Sequence, residues 1–160
     1  MSEIAQKTKT LVLGVGNPIL SDDAVGIRVG QYIKRSCPDL EVIETSEYGI
    51  GLLDYVGGYN RLVIIDSIKT GGKEAEIYKL ELPDLNPASY YPTSHGVDIA
   101  TAFNLGKKLG YKIPVDICIY AIEVADNTTF AESCTPVIES SISCIAEQIM
   151  AEENLSRSPV

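Results

Sequence analysis

The stretch 10–28, TLVLGVGNPILSDDAVGIR, constrains the fold more than any other part of the chain. It begins with an apolar run, β-branched at Thr10 and Val12, that ends in Gly14-Val15-Gly16-Asn17, the pattern of a buried strand entering a tight turn. A helix follows, because Val25, Val29, Tyr32 and Ile33 fall on one face at helical spacing before Ser36-Cys37-Pro38 stops it. Asp22 and Asp23 stand where side chains accept the unpaired N–H groups of a helix start. Taken alone they read as caps, and Asp22→Ala is then expected to cost about 0.5–2 kcal/mol. Strand, glycine loop and helix in this order put the loop at the carboxyl edge of a parallel sheet, where open α/β folds bind their ligands.

The loop does not read as a nucleotide site. A dinucleotide fingerprint requires a third glycine where Ile19 stands, and the paired acids 22 and 23 would repel a pyrophosphate. A phosphate loop requires Gly-Lys followed by Ser or Thr, whereas Gly72-Lys73 is followed by Glu74 and Gly106-Lys107 by Lys108.

Further along, residues 40–45 read as a strand, 52–56 as a short helix ended by Gly57-Gly58, and 61–65, RLVII, as a doubly buried strand that Asp66 closes. The right-handed crossover rule arranges these three strands in the order 2-1-3. Residues 69–73 are too few for a crossover helix, so 75–82 is expected to return antiparallel as a hairpin and edge strand. Residues 83–94 carry prolines at 83, 87 and 92 and are long enough, at ~3.3 Å per extended residue, to climb back to the carboxyl edge. His95 then heads a helix with Ile99, Ala102, Phe103 and Gly106 on one face, residues 115–124 form an internal strand, and Thr135-Pro136 opens a last helix striped by Ile138, Ile142, Ile145 and Ile149. The expected fold is α/β: a three-layer αβα sandwich around a five-stranded, mostly parallel twisted sheet with one antiparallel strand. Residues 1–160 read as one domain, with 1–9 and 154–160 as flexible tails.

Charge and cysteine content narrow the partners. Twenty-two acidic against 13 basic residues give a net charge of −9 with no Lys/Arg run, which argues against nucleic acid and anionic membranes. Cys37, Cys118, Cys134 and Cys144 are widely spaced, and with one histidine in the chain they write neither a zinc set nor a redox motif. Reduced thiols are expected. With no signal-peptide core and no apolar run of bilayer length, the expected location is cytoplasmic.

Three residues converge if the topology is right. Asp23 follows the first strand, Asp66 ends the third, and His95 heads a helix starting at the same edge. An O/O/N set suits a first-row divalent metal with positions left open, and two acids close together raise one pKa, which prepares a carboxyl group for proton transfer. Metal binding and metal-free acid catalysis are both open on these residues. No H-E-x-x-H or G-x-S-x-G motif is present.

With these residues in view, the chain resembles the hydrogenase maturation endopeptidases, which remove the C-terminal extension of the large subunit of nickel–iron hydrogenases. The resemblance rests on residues 14–26, GVGNPILSDDAVG, which match the family's G-x-G-N-x-L-x-x-D-[DE]-[GA]-x-G. It is joined by the apolar strand ending in Asp66, by Ser94-His95-Gly96 and by Thr135-Pro136. It implies an aspartic-type peptidase whose metal-contacting residues, taken as catalytic too, fall on Asp23, Asp66 and His95. It also implies no permanently bound cofactor, with nickel contacted in the substrate, and a hydrogenase large-subunit precursor as partner. Residues 123–134 do not match the family residue by residue, so the resemblance carries no role onto them. A non-catalytic metal-binding or chaperone-like module that docks the same precursor would use the same three ligands.

Overall fold

The computed structural model describes residues 9–47, 49–81 and 96–155. Among the described residues five strands, β1 (Thr10–Val15), β2 (Glu41–Thr45), β3 (Arg61–Ile68), β4 (Ile77–Glu81) and β5 (Asp116–Glu123), form one sheet in the order β2-β1-β3-β5-β4. All neighbours are parallel except β4, which runs antiparallel to β5. The helices are α1 (Val25–Ser36), α2 (Leu53–Val56), α3 (Gly96–Lys108) and α4 (Pro136–Glu152). None of those among the described residues is long and apolar enough to cross a membrane.

Strand alternation divides the core in two. Val12, Val63, Ile65, Cys118, Tyr120 and Ile122 face α1 and α4, where Val25, Val29 and Ile33 meet the predicted stripe Ile138, Ile142, Ile145 and Ile149. On the other face Leu11, Leu13, Leu62, Ile64, Ile117 and Ile119 meet α2 and α3 through Leu53, Val56, Ile99 and Phe103. The order 2-1-3 of the first three strands and the internal place of β5 are as the sequence predicts.

The glycines of the opening motif serve packing. A Cβ on Gly16 would lie 2.0 Å from the Asp23 carbonyl oxygen, and one on Gly26 2.2 Å from that of Ile65. Only a bare backbone lets α1 settle this close to β1 and β3. The turn between them is strained at Ser21, whose φ of 48° is left-handed without being glycine. Ser21→Gly is therefore expected to stabilise the protein by about 0.5–1 kcal/mol, the relieved strain being offset in part by a freer unfolded chain. Urea unfolding of the two proteins checks this; a loss of stability would mean that the serine side chain holds the turn.

Three expectations are corrected. The segment read as a hairpin partner of β3 is an antiparallel edge strand, but it pairs with β5. The parallel β3–β5 ladder covers eight positions, 61–68 on 116–123, against five for β4, so the longer ladder takes the free edge of β3 and β4 must go beyond it. Glu123 shows how the chain crosses. Its buried carboxyl accepts from the N–H groups of Thr70 (2.8 Å) and Gly72 (2.9 Å) and from the Thr70 hydroxyl, drawing the β3–β4 loop over the end of β5. Burial opposes ionisation there, but these hydrogen bonds outweigh it and lower the Glu123 pKa. The second correction is that β3 does not stop at Asp66 but runs on to Ile68. The third is that Leu155, in the expected C-terminal tail, packs half-buried against the α1–α4 core. The climb proposed for residues 83–94 lies outside the described residues.

At the opposite, amino edge, Glu153 follows α4 and is nearly buried. It accepts from Arg61 Nε at 2.7 Å and from the Tyr120 hydroxyl, and lies 3.7 Å from Lys79 Nζ. Arg61 also pairs with Asp116. The four cysteines are free thiols. Burial, with Glu153 adding to it, pushes the Cys118 thiol up to about 12, so that thiol is unreactive.

Candidate functional site

At the carboxyl edge the turn between β1 and α1 is built from Asn17, whose side-chain oxygen accepts from Ile19 N–H (3.1 Å), and from a 3-10 turn at Ser21–Ala24. Ser21, Asp22, Asp23, Asp66, Ser67 and Glu123 are all buried at this edge, an unusual concentration of polar side chains out of water. Their hydrogen bonds sort them into different tasks.

Asp23 does not cap α1, which has no side-chain cap. Its carboxyl accepts from Asn17 N–H at 2.9 Å on one oxygen and from the Ser67 hydroxyl at 2.8 Å on the other. Asp66 continues the side of β3 that carries Leu62 and Ile64, so it approaches the edge from the α3 face while Ser67 points toward α1. Ser67 touches both acids, because its N–H also donates to Asp66 Oδ1 at 2.8 Å. The second oxygen of Asp66 has no hydrogen-bond partner among the described residues, although the residue is 1% exposed. Burial first, then the neighbouring Asp23 charge, raise the Asp66 pKa to about 8 against the opposing Ser67 N–H. A carboxyl that is buried, half-satisfied and protonated at neutral pH is prepared for a ligand or a proton transfer, and has no evident use in the fold.

Asp22 is the other departure from expectation, for it too caps nothing on its own helix. Fully buried, it accepts from Ala125 N–H (3.3 Å) and Asp126 N–H (3.0 Å), from Thr135 N–H (2.7 Å) and from the Thr135 hydroxyl (3.0 Å). Thr135, the N-cap residue of α4, makes no side-chain cap and gives its hydroxyl to Asp22, and Glu139 takes up Cys134 N–H at 3.0 Å. Asp22 thus fastens both ends of loop 125–135 to the β1–α1 turn.

Of the three residues expected to converge, Asp23 and Asp66 are brought together through Ser67, and His95 lies outside the described residues. The described chain resumes at Gly96, the first residue of α3, which leads into a strand parallel to β3 and so begins toward the carboxyl edge. Among the described residues no three of His, Cys, Asp and Glu stand together as a metal-binding group. The sequence alone gives Asn17 no role, and it reads Ser67, beside Asp66, as a loop cap. In the structure Ser67 bridges the two acids, as period-two alternation allows by turning the residue after Asp66 toward the turn that carries Asp23.

The family model described as hydrogenase maturation protease matches residues 7–152. The chain is 25% identical over 150 residues, 89% of each sequence, to the hydrogenase 2 maturation protease of Escherichia coli (strain K12). Among solved structures it is similar to the hydrogenase maturating endopeptidase HybD from E. coli, with a TM-score of 0.76 at 24% identity, covering 92% of this chain and 93% of that one. It is also similar to a second E. coli endopeptidase solved in solution, with a TM-score of 0.78 at 23% identity and coverages of 95% and 98%. These two structures share the fold described above.

Proposed function

The chain belongs to the hydrogenase maturation protease family, and we therefore propose that it removes the C-terminal extension of a nickel-loaded hydrogenase large-subunit precursor, with Asp23, Asp66 and His95 meeting the nickel that the precursor carries. The observation that supports this use of the site is Asp66, buried with one oxygen unpartnered among the described residues and joined to Asp23 through Ser67. Nickel is here part of the substrate, and no cofactor is permanently bound. Two carboxyl oxygens and an imidazole leave positions open on the ion, so nickel held by the precursor's own thiolates can be shared. A ligating carboxyl must be deprotonated, so nickel arriving at Asp66 displaces the proton held there. The chemistry is aspartic in type: the acid pair stands beside the scissile bond, where one carboxyl can take a proton from the attacking water.

Recognition through the ion makes metal loading the signal for cutting, since the bonds to nickel are available only in the loaded precursor. The purified protein should release a C-terminal peptide from nickel-loaded precursor and leave nickel-free precursor whole, as read by mass spectrometry of the two side by side. Equal rates on both would remove nickel from the mechanism. Binding of loaded precursor without any mass loss would make the chain a docking module in place of a peptidase.

A further inference from the structure

Loop 125–135 takes no part in the acid pair, yet it is among the most firmly tied loops of the carboxyl edge. Asp22 holds its two ends. In between, Asp22 N–H donates to the Asp126 carbonyl (2.9 Å), Ser21 N–H to the Ala131 carbonyl (3.0 Å) and Ala131 N–H to the Ile19 carbonyl (3.0 Å). Leu20 and Ala131 form a parallel bridge. Asp126 Oδ1 accepts from the N–H groups of Thr128 and Thr129, both at 3.0 Å, which tightens the turn just before residue 130. All this fixes a side chain that has no place in the core: Phe130 is 80% exposed, and Ile19 on the adjoining segment is 49% exposed.

Holding a phenylalanine out in water on a braced loop does nothing for folding. It is what a binding anchor needs, because an aromatic with two side-chain torsions on an already ordered backbone loses little entropy when a partner covers it. The bracing also fixes where the anchor stands, since the residue that clamps the loop, Asp22, is the chain neighbour of Asp23.

We propose that Phe130 is the specificity anchor of this peptidase, seated in an apolar recess of the hydrogenase large-subunit precursor beside the segment to be cut. The inference rests on the reading of the chain as a precursor-cleaving endopeptidase and adds to it a contact that does not involve nickel. A second copy of the chain is the less suitable occupant, because each copy carries a net charge of −9.

The test is the concentration dependence of cleavage of nickel-loaded precursor by the parent, Phe130→Ala, Phe130→Leu and Asp126→Ala. Phe130→Ala should raise KM about 10- to 30-fold with kcat within about twofold, the size of effect that truncating an interface anchor has. Phe130→Leu should recover most of the loss, and Asp126→Ala, which keeps the ring but loosens its turn, should move KM the same way by less. Thermal midpoints of the two Phe130 variants should match the parent, since the ring is in water already. An unchanged KM in Phe130→Ala overturns the inference. So does a fall in kcat alone, which would mean that the loop positions the acids, or a change of oligomeric state with cleavage unaffected, which would make Phe130 a self-association contact. If the parent itself cuts no precursor, the endopeptidase reading fails and this inference falls with it, an outcome distinct from a parent that cuts and a Phe130→Ala variant that cuts equally well.

Discussion

Asp66→Asn should stop cleavage altogether and at the same time raise the thermal midpoint at pH 8–9 by at least about 5 °C. The stability half follows from the sign of the pKa shift. Burial and the adjacent Asp23 raise the Asp66 pKa from 3.8 to about 8, so the unfolded chain loses this proton near pH 4 while the folded protein keeps it to about pH 8. Across that interval the folded state holds more protons, and stability falls as pH rises from about 4 to about 8. Asparagine has the shape of the protonated acid and keeps an acceptor for Ser67 N–H, but it never acquires the charge. The two proteins should therefore melt together near pH 4 and diverge above it. On the proposed mechanism cleavage fails because an amide can neither give up a proton to make room for nickel nor take one from water. Melting curves at stepped pH and a cleavage assay on loaded precursor check the two halves separately. A variant that melts below its parent at pH 9 would mean that Asp66 is charged and paired in the folded protein, and surviving cleavage would remove it from the reaction.

Asp22→Ala should lower stability by about 3–5 kcal/mol, well beyond the 0.5–2 kcal/mol of a lost helix cap. The carboxyl is fully buried, and its removal leaves the N–H groups of Ala125, Asp126 and Thr135 and the Thr135 hydroxyl without an acceptor. Each such group costs about 1–3 kcal/mol if it stays dry, and the total is held below the sum because part of loop 125–135 can reopen to water. Urea unfolding measures the loss, and amide exchange should quicken first at Asp126 and Thr135. A cost inside the range of a cap would show that solvent replaces the clamp at once.

The contrast between these two neighbours, Asp22 and Asp23, marks where sequence reasoning reaches and where it ends. Strand β1, the glycine turn and α1 were legible because their signals are local: apolar runs, a helical stripe, and glycines where backbones meet. The same is true of the αβα layering and of the antiparallel edge strand. That Asp23 and Asp66 lie close together was legible too, since the turn after β1 and the carboxyl end of the adjacent parallel β3 must share an edge. The use of each acid was not legible. The donors to Asp22 come from residues 103 to 113 positions later, and nothing in the spacing of residues 21–24 shows that the first carboxyl will be spent on a distant loop and the second on Asn17 and Ser67. The place of β4 was missed for a related reason. Local closure favours a hairpin, but the longer ladder between β3 and β5 prevails, and the carboxyl of Glu123 that leads the connection across lies some fifty residues away in sequence.

The cluster at the amino edge bears on where the domain ends. The match to the family stops at residue 152, whereas the carboxyl that answers the half-buried Arg61 guanidinium and receives the Tyr120 hydroxyl belongs to Glu153. A fragment trimmed to the family boundary would keep every described strand and helix and still lose the rivet between the end of α4 and the starts of β3 and β5, leaving Arg61 with Asp116 as its remaining ion-pair partner among the described residues. Leu155 would lose its seat on the α1–α4 core in the same cut. For this chain the folded unit extends at least to residue 155, past the end of the family match, and expression boundaries, tags and fusions are better placed beyond residue 155 than at 152.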